Sequence, residues 1–195
     1  MTSYTASHPR YRELVAENMR LIEPDLQHAS ESLSWIGNID IVAFMGADFP
    51  SPTLEGEYER LQKILASTDE YSWMIECDGK VIGNVCINTI AETTQKCGMR
   101  AGNLTILIGD KNYWQKGIGN KACSAVVEWA FSDGGFVVIT ARALQENVAS
   151  IKTLQKLGFT ETGTGTESYG SLVHGKPSSW RNFRIEKMIA PFSAA

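Results

Sequence analysis

The chain has 195 residues, with a hydrophobic fraction of 43%, a charged fraction of 21% and a net charge of −4. That length suits a single domain spanning 1–195 that buries a core without metal or disulfide staples. The acidic balance argues against a nucleic-acid partner, and no apolar run approaches the roughly 18–20 residues with which the chain would span a bilayer. The start, "MTSYTASHPRYREL", lacks the charged-then-apolar order of a signal peptide, so a cytoplasmic location is expected. Cys77, Cys86, Cys97 and Cys123 are too widely spaced for a C-x-x-C motif and read as free structural thiols; no metal is expected.

Residues 1–15 read as an N-terminal extension. "NMRLIEP" (18–24) predicts a strand ended by Pro24. From Asp25, Leu26, Ala29, Leu33 and Ile36 recur at helical spacing and Gly37 follows as a stop, which predicts a helix. A second helix carries Tyr58, Leu61, Ile64 and Leu65. Glu55, Glu57 and Glu59 at its start read as a solvated acidic face favoured by the helix dipole. "YSWMIECDGKVIGNVCINTI" (71–90) is a hairpin around Asp78-Gly79, and "NLTILIG" (103–109) adds a further strand. A helix within 113–131, a buried strand "FVVITARA" (136–143) and a helix over 147–157 follow. The stretch 163–180 reads as loop and "NFRIEKMI" (182–189) as the last strand. Hairpins followed by strand-helix pairs predict a mixed α and β fold around one sheet.

The stretch "YWQKGIGNKACSAVVEWAF" (113–131) places Gly117 and Gly119 ahead of a helix whose Ile118, Ala122, Ala125, Val126 and Trp129 form one apolar face. The first turn of such a helix carries N–H groups without intrahelical acceptors and the positive end of the dipole. Bare glycines let an anion approach those donors, and Lys116 adds charge, so the pattern suits a pyrophosphate. Taken alone, the glycines equally suit a tight turn. The preceding hairpin does not match a dinucleotide-binding βαβ unit, and no G-x-x-x-x-G-K-[ST] run is present.

Asn147, Ser150, Gly158 and Phe159 in "ENVASIKTLQKLGF" give N-x-x-S-x₇-G-F after a buried strand. Together with "LIGDKNYWQKGIG", this resembles the GNAT superfamily of acetyl-CoA-dependent N-acetyltransferases. "MRLIEPDLQHASESLSW", "YSWMIECDGKVIGNV" and Tyr113-Trp114 resemble its RimJ/RimL type, the ribosomal-protein N-terminal acetyltransferases and their relatives, over about 18–189. The resemblance implies a GNAT fold, a mostly antiparallel sheet splayed between the fourth and fifth strands (103–109 and 136–143) and flanked by helices. It implies that the pantetheine arm of acetyl-CoA, the cosubstrate, pairs with backbone near Leu107, Ile108 and Gly109. The pyrophosphate would rest on Gln115, Lys116, Gly117, Ile118, Gly119 and Asn120, and Asn147 would cap its helix and contact the cofactor. Trp114 stands where the superfamily pattern has Gln or Arg.

Acyl transfer needs a neutral amine and a stabilised thiolate leaving group. The superfamily's tyrosine seven residues after the motif asparagine is Leu154 here, and the resemblance assigns the acid role to Ser150 instead. Glu76, Asp110 or a water relay are the candidate bases. His174 reads as a solvent-exposed loop histidine and Lys156 as a solvated helix residue. The expected activity is acetyl transfer to a primary amine, on a protein N-terminus or a small molecule, by direct attack and without a cysteine nucleophile, in a monomer or homodimer. Loops 38–57 and 163–181 would shape the acceptor site. The alternative is a non-catalytic acyl-CoA-binding or sensor domain on the same fold.

Overall fold

The computed structural model describes residues 13–16, 18–45, 52–91, 94, 99–170 and 177–188. Eight strands form one sheet in the order β1-β2-β3-β4-β5-β6-β8-β7. They are β1 (Leu14–Ala16), β2 (Met19–Ile22), β3 (Glu70–Cys77), β4 (Lys80–Thr89), β5 (Ala101–Ile108), β6 (Val138–Leu144), β7 (Thr160–Gly170) and β8 (Pro177–Glu186). The helices are α1 (Ala29–Ile36), α2 (Ile39–Val42), α3 (Leu54–Ala66), α4 (Ile118–Ser132) and α5 (Val148–Lys156).

Most of the elements fall where periodicity places them. Asp25 caps a short 3-10 turn that runs into α1, Gly37 ends α1, and Asp78-Gly79 turns the β3–β4 hairpin with φ of 51° and 77°. Two differences stand out. The end of the presumed extension, Leu14–Ala16, pairs with β2 as an edge strand. Most of the stretch read as loop over 163–180 is instead a β-hairpin, β7 running to Gly170 and β8 starting at Pro177. Its glycines and serines carry no clear apolar alternation, so the pairing, bulged between Gly165 and Tyr169, is hidden from a pattern search. His174 lies outside the described residues.

The two faces of the sheet are covered differently. Trp73, Ile75, Val85, Ile87 and Leu104 point into a large core with Ala122, Val126 and Trp129 of α4 and Ile151 and Leu154 of α5. Met74, the residue between Trp73 and Ile75, joins a smaller cluster with Ala29, Leu61 and Ile64, so α1 and α3 lie on the opposite face. Glu57, expected on a solvated face, is 2% exposed. Arg60 grips its carboxylate at 2.6–3.0 Å and also donates to Ser32 Oγ, tying α3 to α1. A charged side chain goes inside only when so paired, and the i,i+3 spacing to Arg60 was the available sign.

Six of the seven inter-strand seams follow the strands, but the β5–β6 seam stops early. These strands run parallel and pair over Ala101–Asn103 and Val138–Thr140 alone. Beyond that point Leu104–Ile108 and Ala141–Leu144 diverge, which is the splay expected between strands 103–109 and 136–143; the added edge strand shifts their numbers to five and six. The closed end is fixed by Arg100. Its guanidinium lies over the Tyr71 and Phe136 rings at 5.0 and 4.3 Å and donates to Gly134 O and Tyr71 Oη.

Candidate active site

The splay leaves backbone groups of β5 without a neighbouring strand. At one end of the β4–β5 ladder Ile90 N–H donates to Ala101 O, and at the other Gly109 N–H donates to Ile82 O. Odd-numbered residues of β5 therefore bond toward β4, and the alternation turns the N–H and C=O of Leu104, Ile106 and Ile108 toward the gap. Of the three residues named from sequence, Ile108 faces the gap, whereas Leu107 and Gly109 turn their backbone to β4. Ile106 also faces it and was missed; counting alternate residues along the strand would have found it.

Gly109 has a different reason to be glycine. A Cβ there would lie 2.0 Å from Cγ of Trp35, so the bare backbone admits the α1 indole against the end of β5. Both residues border a shallow cavity of about 300 Å³ between α1, α2 and the strand end. The Lys80–Asp110 ion pair, 2.6 Å, lines the same cavity.

The loop from β5 to α4 is pinned to the strand. Asp110 Oδ1 accepts from Asn112 N–H and caps the 3-10 turn Lys111–Tyr113. Trp114 then donates its indole Nε1–H to Ile108 O at 2.9 Å, saturating one gap-facing carbonyl while the ring stays 40% exposed. This gives Trp114 a definite task at a position where the superfamily pattern has Gln or Arg. Gln115, at φ 60°, and Gly117, at φ 78°, turn the chain through the left-handed region, and Lys116 Nζ lies 5.4 Å from the Tyr113 ring centre. Gln115, Lys116 and Gly117 are all exposed.

Gly117 is the N-cap of α4 and supplies no side-chain cap. The first intrahelical bond is Lys121 N–H to Gly117 O, so the N–H groups of Ile118, Gly119 and Asn120 have no helical acceptor. Ile118 buries its side chain in the core. A Cβ on Gly119 would meet Ile106 Cδ1 at 3.7 Å and nothing nearer, so α4 opens directly above the gap-facing part of β5. Asn120 Nδ2 is buried without a hydrogen-bond partner among the described residues. Buried amides are rarely left so, and an acceptor from outside the chain would satisfy it. Free donors, a bare helix start and a strand edge thus converge on one cleft, which fits an extended ligand with an anionic end.

On the other bank α5 starts at the end of β6. Asn147 accepts the Ser150 N–H at 3.1 Å and caps the helix; the Ser150 hydroxyl is part-exposed and makes no hydrogen bond among the described residues. Leu154 is buried in the main core, so its position contributes no polar group to the cleft. Glu76 and Asp110 are both committed elsewhere. Glu76 takes two hydrogen bonds from Arg20, at 2.6 and 2.8 Å, near the β2 side of the sheet. Asp110 is held below the usual carboxylate range by the Lys80 ammonium and the Asn112 amide. Burial raises the thiols of Cys86 and Cys123 to about 12.

A family model described as an acetyltransferase (GNAT) domain matches residues 18–160, which contain the cleft-forming strands, the glycine loop and α5. The chain belongs to the GNAT acetyltransferase family. It is 30% identical over 107 residues to an uncharacterised protein of Methanocaldococcus jannaschii, a match that takes in 51% of this chain and 22% of that relative. The chain therefore spans about a fifth of that relative's length. Among solved structures it is similar to RimL, a ribosomal L7/L12 alpha-N-protein acetyltransferase in complex with coenzyme A. The TM-score is 0.76 at 14% identity, covering 90% of this chain and 98% of that one. It is also similar to the spermidine N-acetyltransferase of Vibrio cholerae in complex with CoA and spermine, with TM-score 0.76 at 16% identity over 88% and 96% of the two chains. These two likenesses establish a shared fold.

Proposed function

We propose that this GNAT chain transfers the acetyl group of acetyl-CoA to a primary amine by direct nucleophilic attack. The observation that carries the reading is the uncapped start of α4, with the unpartnered Asn120 amide in its first turn, set over the gap-facing β5 backbone. In this reading Ile106 and the N–H of Ile108 pair with the pantetheine amides as an added strand would. The N–H groups of Ile118, Gly119 and Asn120 receive the pyrophosphate, with Lys116 and Gln115 at the rim. Asn147 caps α5, which presents the Ser150 hydroxyl to the leaving sulfur; Leu154 supplies no alternative phenol.

The known chemistries of structural neighbours point to two acceptor classes, a protein α-amine and a small polyamine. An α-amine with pKa near 7.8 is roughly 10–15% neutral at pH 7, whereas an alkylamine near 10.4 is about 0.04% neutral. The alkylamine therefore needs far more help in losing its proton. The test is CoA release from acetyl-CoA across a panel of peptide N-termini, polyamines and amino sugars. Release with at least one amine supports the reading; tight acetyl-CoA binding without release from any amine supports a non-catalytic binder.

A further inference from the structure

The face of the sheet that carries α1 and α3 also carries a row of polar side chains at the closed end of the splay. The register aligns Glu70 of β3 with Asn88 of β4, Asn88 with Asn103 of β5, and Asn103 with Thr140 of β6. Asn103 and Thr140 are the last pair before β5 and β6 part. All four residues are part-exposed, so among the described residues no helix seals this part of the face, whereas Met74, further along β3, is buried under Leu61 and Ile64. At about 4.8 Å per strand, Glu70 stands about 10 Å along the row from Asn103.

We propose that Glu70 receives the proton of the attacking amine through water held along Asn88 and Asn103. The inference rests on the transferase reading above. When the amine nitrogen bonds to the thioester carbonyl carbon it becomes positively charged. Its proton leaves to the Glu70 carboxylate, the C–S bond breaks, and the sulfur departs as thiolate toward the Ser150 hydroxyl. Glu70 then returns its proton to solvent or to CoA, so the carboxylate is regenerated.

Three features single out Glu70. Its carboxylate has no hydrogen bond or ion pair among the described residues, unlike Glu76 and Asp110. It lies on the face from which an acceptor reaches the gap without crossing α4. Its surroundings disfavour the charged form. Burial pushes the carboxyl above its ordinary value, and the attraction of Arg60 only partly offsets this because that guanidinium is bound to Glu57 and Ser32. The charged or titratable groups that bear on it are Arg60 from α3, itself paired with Glu57, and Cys86 from β4.

The experiment compares wild type with Glu70→Gln in kcat/KM against pH 6–9.5, using an amine that the wild type acetylates. The expected result is a loss of about 10²-fold near neutral pH that shrinks as rising pH supplies hydroxide to take the same proton from the attacking nitrogen. The Kd for acetyl-CoA should be unchanged and Glu70→Asp should recover part of the rate. A loss below about threefold, or a loss of equal size at every pH that Asp does not relieve, overturns the proposal while leaving the transferase reading intact. Failure of the wild type to acetylate any amine overturns the transferase reading and the proposal with it. Should Glu70→Gln not fold, Asn88→Val, which interrupts the row, is expected to show the same pH-dependent loss, and an unaltered profile in that variant overturns the proposal.

Discussion

Gly119→Ala separates a role in folding from a role in binding. The residue lies in the first turn of α4, and an added Cβ would meet Ile106 Cδ1 at 3.7 Å, an ordinary contact. Nothing in the fold therefore demands glycine there, and replacing glycine within a helix stabilises by about 0.5–1 kcal/mol. For a chain of this size that raises Tm by about 1–4 °C. The same methyl projects into the space between the α4 start and the gap-facing part of β5, where the ligand has to pass. Losing one hydrogen bond to a charged group costs about 1.5–3 kcal/mol, or roughly 10- to 150-fold in Kd. Calorimetric titration with CoA, paired with thermal unfolding, reads both quantities. A protein that melts higher and binds CoA as tightly as wild type would refute the cradle; one that melts lower would refute the packing argument.

Other substitutions probe the same cleft from its neighbours. Trp114→Phe removes the bond to Ile108 O while keeping the ring, and is expected to weaken acetyl-CoA binding by about 1 kcal/mol, read as about a fivefold rise in KM. Gly109→Ala drives a Cβ into the Trp35 indole and should cost about 1–3 kcal/mol of stability, with urea unfolding as the check; an unchanged midpoint would contradict the α1–β5 contact. Ser150→Ala should lower kcat by at least about tenfold with little change in acetyl-CoA affinity, since Asn147 accepts from the Ser150 backbone and still caps α5. Cys86 and Cys123, with thiols raised to about 12, should resist an aromatic disulfide reagent at pH 8 until denaturant is added. Rapid modification of either in the native protein would contradict their burial.

What could be read in the residues follows from how each feature is encoded. Helices α1, α3, α4 and α5 carry apolar faces within their own segments, Thr53 and Asn147 cap α3 and α5, and the β3–β4 hairpin carries its turn, so local pattern suffices for them. The β7–β8 hairpin is rich in Gly, Ser and Thr and has no such pattern, and Leu14–Ala16 becomes a strand only because β2 offers an edge. The same division runs through the site. Gly117 is legible because its positive φ favours glycine, and Asn147 because it caps a helix. Ile106 emerges only from knowing which way the ladder bonds point. Glu70 emerges only from the cross-strand register that lines it up with Asn88, Asn103 and Thr140. Glu57 shows the reverse: charge alone placed it in solvent, and its buried pairing with Arg60 places it between α1 and α3.

The most direct test of the account is a single assay of acetyl-CoA turnover by the purified full-length chain against peptide N-termini, polyamines and amino sugars, with product mass recorded. Acetyl transfer predicts CoA release that depends on the amine and a product one acetyl group heavier. Saturable acetyl-CoA binding with no release from any amine would contradict it.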